Sequence, residues 1–163
     1  MKKILFLSLV AFTAFTYCTN AQSPRVSAAG KDVKVAYGQP SKRDREIFGK
    51  LVPYGQVWRT GANEASEITF AKDVKFGGKK LKAGTYTLFT IPTAKDWTVI
   101  LNSQTGQFGA FSYEKYKDKD VLQVIVPVKQ LSNPVEKLTY RFDTKNNLVI
   151  EWDKTQVVVP ISR

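Results

Sequence analysis

Apolar and polar side chains alternate along most of the chain after residue 21, which is the pattern of half-buried β-strands. Turn signals such as Gly77-Gly78 and the Thr144–Asn147 stretch separate the alternating runs. The spacing predicts about eight to ten short strands, each roughly ten residues from the next. The clearest runs are Val33/Val35/Tyr37, Trp97/Val99/Leu101, Leu122/Val124/Val126/Val128, Leu138/Tyr140/Phe142 and Val157/Val159/Ile161.

These strands lack the crossover helices that a parallel α/β sheet needs. We therefore predict an all-β fold, an antiparallel β-sandwich that is jelly-roll-like or Ig-like, with a partly closed barrel as the alternative. Residues 41–50, SKRDREIFGK, are the one candidate for a short helical turn, with Ser41 placed to cap it. Residues 106–120 are rich in glycine, aromatic and charged residues, which indicates a long loop.

The first residues, MKKILFLSLVAFTAFTYCTNAQSP, have the layout of a secretory signal peptide. Lys2 and Lys3 precede an apolar run at 4–17 that is too short to span a bilayer. Small residues follow, so we expect cleavage after Ala21, which makes 1–21 the signal peptide and 22–163 a single β-sandwich domain. The mature protein is then exported, periplasmic or secreted, with no transmembrane segment. Cys18 raises a lipid-anchor alternative, which the bulky Tyr17 before it disfavours.

Composition restricts the chemistry. The chain has no His, and its only Cys and only Met, Cys18 and Met1, lie in the expected signal peptide. We therefore expect no metal site, no cofactor and no Ser-His-Asp or Cys-His catalytic group. Lys and Arg number 25 against 14 Asp and Glu, which suits an anionic partner. The lysines are scattered as on a solvated surface, however, and export argues against nucleic acid.

The stretch LVPYGQVWRTGANE at 51–64 holds the candidate binding residues, which are Tyr54, Trp58, Arg59, Asn63 and Glu64. Carbohydrate and peptide sites combine a flat aromatic ring with a few fixed polar groups. If 56–60 is a strand, Val57 faces the core and Arg59 turns inward with it. A half-buried Arg needs an acid, and Glu64 or Glu67 is the expected partner. The structural alternative is that Arg59 only clamps this loop and Trp58 covers the end of the sandwich.

Several segments resemble a known family. IFGKLVPYGQVWRTGANEASEITF, then GGKKLKAGTYTLFTIP, then WTVILN and the later Gly109 are similar to the bacterial exported proteins catalogued as domain of unknown function 2911. The resemblance extends over about residues 23–161. It implies an envelope or secreted β-sandwich protein and no particular activity.

Three functional hypotheses follow. The first is a non-catalytic binding or accessory module of the cell envelope, with a glycan, peptide or envelope polymer held at 54–64 and helped by 106–116. The second is a cofactor-free, glycosidase-like carboxylate hydrolase; Glu64 and Glu67 are its candidates, although an i,i+3 pair in a strand points to opposite faces. The third is a structural domain that binds a protein partner.

Overall fold

The computed structural model describes residues 22–163, and the predicted signal peptide at 1–21 lies outside the described residues. Strands dominate, with one α-helical turn and one 3-10 turn. The strands are β1 (Arg25–Gly30), β2 (Val33–Gly38), β3 (Ser66–Phe70), β4 (Val74–Phe76), β5 (Lys79–Leu81), β6 (Gly84–Pro92), β7 (Asp96–Asn102), β8 (Asp120–Phe142), β9 (Leu148–Val159) and β10 (Ile161–Ser162). The helix α1 is Tyr113–Tyr116, and the 3-10 turn is Lys117–Lys119.

Seven strands form one antiparallel sheet in the order β1-β2-β3-β6-β7-β8-β9, and β10-β4-β5 form a small second sheet. The large sheet is curled into a half-barrel, with the small sheet beside it. The prediction of an all-β antiparallel fold is confirmed. The predicted runs at 122–128 and 138–142 belong to one long strand, β8, whose pairing with β9 shifts register between Gln130 and Thr139.

The main core gathers the inward-facing residues of the predicted alternating runs. At one end four aromatic side chains meet: Phe48, Trp58, Trp97 and Trp152. The indoles of Trp58 and Trp152 stack with their centroids 5.9 Å apart, and Trp58 meets Trp97 edge-on at 5.9 Å. Burial of these rings supplies a large apolar contribution to folding.

A second, smaller cluster lies on the opposite face of β6 and β7, where Phe89 and Ile100 are fully buried. Tyr113 of α1 covers them, with its ring 5.1 Å from that of Phe89. Its hydroxyl donates to Asp120 Oδ2 at 2.6 Å. The prediction of a plain loop over 106–120 is therefore wrong at its second half, because the packing of Tyr113 holds a helical turn there.

The helical turn expected near 41–50 is also wrong, since this segment contains turns and isolated bridges only. Backbone bonds to a distant strand prevail over the local preference. Lys42 N donates to Glu136 O at 2.7 Å, and Leu138 N donates to Pro40 O at 3.0 Å. Arg43 and Asp44 have φ of 49° and 57°, which a right-handed helix excludes. Between residues 22 and 163 no helix is long and apolar enough to cross a membrane.

Candidate functional site

A cavity of about 620 Å³ opens beside the aromatic cluster. Three segments enclose it: residues 22–24 before β1, residues 39–45 after β2, and the corner at 58–63 between β2 and β3. Its volume lies within the range of small-molecule sites. Its lining includes the side chains of Ser41, Arg43, Arg45, Leu51, Val52, Trp58, Arg59, Asn63 and Trp152.

The corner at 58–63 is fixed by the strands around it. Trp58 exchanges two backbone hydrogen bonds with Thr90 of β6, at 2.7 and 2.9 Å. Gly38 of β2 approaches the corner so closely that a Cβ there would collide with the carbonyl oxygen of Ala62. This position therefore requires glycine, because backbone atoms cannot give way as a flexible side chain can.

Thr60 at the centre of the corner has a φ of 53°, an unusual value for a β-branched residue. Its carbonyl oxygen accepts hydrogen bonds from Ser66 Oγ at 2.9 Å and from Tyr140 Oη at 2.7 Å. Its own hydroxyl lies 3.0 Å from that of Thr90. Backbone strain of this kind costs about 1–3 kcal/mol and persists where surrounding contacts enforce it. The corner is thus held in a conformation that the local sequence disfavours.

Trp58 is only 8 % exposed. Its ring stacks on Trp152 and meets Phe48 and Trp97 nearly at right angles, so the indole offers the cavity no open stacking surface. Trp152, 2 % exposed, lies behind it in the cavity wall. The indoles form an apolar floor for the cavity.

Arg59 is half-buried in the cavity wall. Its Nε is buried and has no hydrogen-bond partner in the described part of the chain. Loss of water around the guanidinium lowers the pKa of Arg59. An unsatisfied buried donor costs about 1–3 kcal/mol, and more when the group is charged.

The expected ion pair between Arg59 and Glu64 or Glu67 is wrong, since no salt bridge joins Arg59 to a carboxylate within residues 22–163. Both acids pair with Arg25 of β1 instead, whose guanidinium lies 3.7 Å from the carboxylate of Glu64 and 4.0 Å from that of Glu67. Glu67 also accepts the backbone N–H of Gly106 at 2.8 Å. The strand expected at 56–60 is wrong as well. Within this segment Trp58 alone forms a β-bridge, and the positive φ of Thr60 interrupts the extended backbone.

The other three predicted site residues are placed differently. Asn63 lines the cavity, and its Nδ2 donates to Ser23 O at 3.1 Å, which ties the segment before β1 to the corner. Tyr54 is 45 % exposed and lies against Gly49, outside the cavity lining. Glu64 is exposed, pairs with Phe108 through the backbone and faces Arg25. The structure thus brings Trp58, Arg59 and Asn63 together at the cavity, without Tyr54 and Glu64.

The sequence analysis did not single out Arg43, Arg45 and Trp152 as cavity residues. Arg45 is fixed by two backbone carbonyls: its Nε donates to Lys42 O at 2.9 Å and its Nη2 to Ser41 O at 2.6 Å. The guanidinium of Arg43 forms no salt bridge in the described chain, although its backbone N–H donates to Glu136 Oε1 at 3.0 Å. The only local signal was the basic cluster KRDR at 42–45, which lies in the segment predicted as a short helical turn.

Residues 20–161 match the model of the family described as Protein of unknown function (DUF2911). The chain belongs to this family. No curated protein and no solved structure matches the chain. The description of DUF2911 names no activity, so the function of this member has to be argued from its cavity.

The chemistry of the DUF2911 cavity is that of a positively charged binding site. Three arginines line it, and the described residues that line it include no Asp or Glu. Residues 22–163 contain no group of three or more acidic side chains placed to hold a metal ion. The cavity can donate hydrogen bonds and attract negative charge.

Proposed function

We propose that the protein is an exported, non-catalytic binding or accessory module that holds a ligand in the cavity between 22–24, 39–45 and 58–63. The observation that carries this proposal is Arg59, a half-buried guanidinium whose Nε has no partner in the described chain. Native proteins leave few buried polar groups unsatisfied, and an exception calls for an explanation. A ligand with negative charge beside the guanidinium provides one, because it compensates the desolvated charge of Arg59.

The rigid surroundings of Arg59 support this proposal. Thr60 is held at its strained φ by Ser66 and Tyr140, and Trp58 is packed in the aromatic cluster. A preformed cavity of this kind loses little conformational entropy when it binds, which favours affinity. The ligand classes we propose are those expected from the sequence: a glycan, a peptide or an envelope polymer.

The hydrolase alternative gains less support. Glu64 and Glu67 are both engaged with Arg25, and neither lines the cavity. A glycosidase needs two carboxyl groups that face one bound sugar across about 5–9.5 Å. The described lining of the cavity contributes no such pair.

A protein partner is a second candidate because of one surface feature. Phe108 and Phe111 are 54 % and 78 % exposed, with ring centroids 6.2 Å apart. Exposed aromatic pairs are common at protein interfaces. This pair lies outside the cavity lining, so the two proposals involve different surfaces.

A screen of glycans, peptides and envelope polymers against the full chain tests the proposal, with calorimetric titration of every hit. Ser41→Trp places an indole in the cavity and should abolish binding. Ser27→Trp adds the same side chain on exposed β1 and should leave affinity unchanged. A ligand whose affinity ignores Ser41→Trp but falls in Phe111→Ser would move the function to the aromatic pair and contradict the cavity.

A further inference from the structure

We infer that the ligand of this cavity is an organic acid, and that Arg59 binds its carboxylate. This inference rests on the proposed function and specifies it. The juxtaposition behind it is one half-buried guanidinium without a carboxylate partner among residues 22–163, two further arginines and an apolar floor, all within one cavity.

The charge balance of the cavity favours an anion. Arg43, Arg45 and Arg59 line it, and no acidic residue in the described lining offsets them. Several acids of the neighbouring segments have other partners or lie outside the described lining. Glu136 accepts from the backbone of Arg43, and Glu64 and Glu67 pair with Arg25. Asp44 is exposed and is not part of the lining.

The three arginines have different roles. Arg45 has its Nε and Nη2 bonded to backbone carbonyls, so it contributes a fixed positive charge at the rim. Arg43 and Arg45 are exposed, and water screens them. Arg59 alone combines a half-buried, desolvated guanidinium with the lack of a carboxylate partner in the described chain. An interaction with negative charge is strongest there because the local dielectric constant is lowest.

The Nε of Arg59 is buried, so the Nη1/Nη2 end of the guanidinium faces a ligand. This end presents two parallel N–H groups, which match the two oxygens of a carboxylate. A monoanion also balances the single desolvated charge of Arg59, whereas a phosphate dianion leaves one negative charge to be matched by screened arginines at the rim. Carboxylate is therefore the anion that fits the half-buried position best.

The apolar lining shows why the ligand is larger than a bare ion. Three of the apolar side chains that line the cavity are Leu51, which is 45 % exposed, and the buried Val52 and Trp58. These groups gain nothing from an inorganic anion, but they contact the carbon skeleton of an organic acid. An acidic sugar and an acidic amino acid both have such a skeleton, and the shared carboxylate is the chemistry that we assign to the site.

Calorimetric titration of the full chain with matched acid and neutral pairs tests this inference. The probes are D-galacturonate against D-galactose and the α-amide of N-acetylglutamate against the α-amide of N-acetylglutamine, with inorganic phosphate as a third arm. We expect at least one acid to bind tenfold or more tightly than its neutral partner and than phosphate. Arg59→Gln should remove that preference, and Arg59→Lys, which keeps the charge without the paired N–H edge, should restore only part of it.

Arg141→Gln is the matched control, because it removes a guanidinium from the outer surface, where Arg141 pairs with Glu151. Equal affinity for acid and neutral probes, or phosphate as the tightest binder, would overturn the carboxylate assignment. If a neutral glycan or peptide binds and Ser41→Trp blocks it, the proposed function stands and this inference alone fails. If no probe binds and no screened ligand depends on position 41, both fail.

Discussion

The guanidinium of Arg59 is partly desolvated in the folded protein, and no carboxylate of the described chain pairs with it. Burial lowers the pKa of Arg59, and its Nε stays without a partner in the described chain. Groups in such positions reduce stability, and proteins retain them where they serve binding. The opposite outcome, a buried Arg–Glu pair, would make Arg59 a contributor to stability.

Arg59→Gln is therefore expected to leave the free energy of unfolding unchanged within about 1 kcal/mol, or to raise it, because no ion pair is broken. Denaturant unfolding followed by tryptophan fluorescence measures this value. Arg45→Gln, which breaks two hydrogen bonds to backbone carbonyls, is the comparison. A loss of about 3–5 kcal/mol in Arg59→Gln would show that an acid neutralises the guanidinium in solution.

Trp58→Ala should lower the free energy of unfolding by about 3–5 kcal/mol, because it opens a hole in the core next to Trp97 and Trp152. Trp58→Phe should cost less, since it keeps part of the contact. Tyr54→Ala, at an exposed position, is the control and should change stability by less than about 0.5 kcal/mol. A Trp58→Ala variant as stable as the native protein would mean that the indole is not packed as described.

The sequence could not decide the partner of Glu64. Proximity along the chain pointed to Arg59, five positions away, yet Arg25 reaches Glu64 and Glu67 from β1. That contact depends on the segment before β1 crossing beside the corner, where Asn63 holds the carbonyl of Ser23. Sequence separation carries no information about such an approach.

At the scale of elements, regular alternation was a sound guide and irregular segments were not. In β2, β7, β8 and β9, the apolar residues at every second position face the core, as the alternating pattern predicted. The corner at 58–63 and the segment at 41–50 depend on long-range backbone bonds, to β6 and to β8. Arg43 and Arg45 of the segment at 41–50 line the cavity because these long-range bonds place the segment there. The local sequence does not indicate this position.

Tyr140 of β8 stabilises the corner at 58–63 through a hydrogen bond. Its hydroxyl donates to Thr60 O at 2.7 Å in a fully buried position, and burial raises the pKa of Tyr140. Tyr140→Phe should lower the free energy of unfolding by about 1–2 kcal/mol and weaken ligand binding, because the strained φ of Thr60 loses one of its restraints.

Thermal unfolding and calorimetric titration measure the two effects of Tyr140→Phe. Tyr54→Phe removes a hydroxyl from an exposed ring and should change neither. Unchanged affinity in a destabilised Tyr140→Phe protein would show that the corner keeps its geometry without this bond.

For the whole molecule, several carboxylates of the outer surface should make stability depend on pH. Hydrogen bonding from Arg141 lowers the pKa of Glu151, which is 14 % exposed. Contacts with Arg163 and with Lys82 lower the pKa values of Asp32 and Asp73. A lowered folded-state pKa means that each group stabilises the fold above its unfolded value and loses that effect as pH falls through the folded value.

The free energy of unfolding should therefore be constant above about pH 5 and should fall as the pH is lowered below the ordinary carboxylate range. Glu151→Gln should flatten part of this decrease and lower stability at pH 7 by about 1 kcal/mol. Glu46→Gln, at an exposed residue outside the ion pairs, serves as the control. Greater stability at pH 3 than at pH 7 would contradict the sign of these shifts.

The central claim is that the guanidinium of Arg59 binds the carboxylate of an acidic ligand, and the NMR signal of its Nε–H group tests it most directly. In the ¹⁵N-labelled full chain, the Nε–H resonance that disappears in Arg59→Gln identifies the group. We predict that D-galacturonate or the α-amide of N-acetylglutamate shifts this resonance, and that D-galactose and the α-amide of N-acetylglutamine at the same concentrations do not. A resonance that stays fixed while the acid probes shift those of other arginines would contradict the claim.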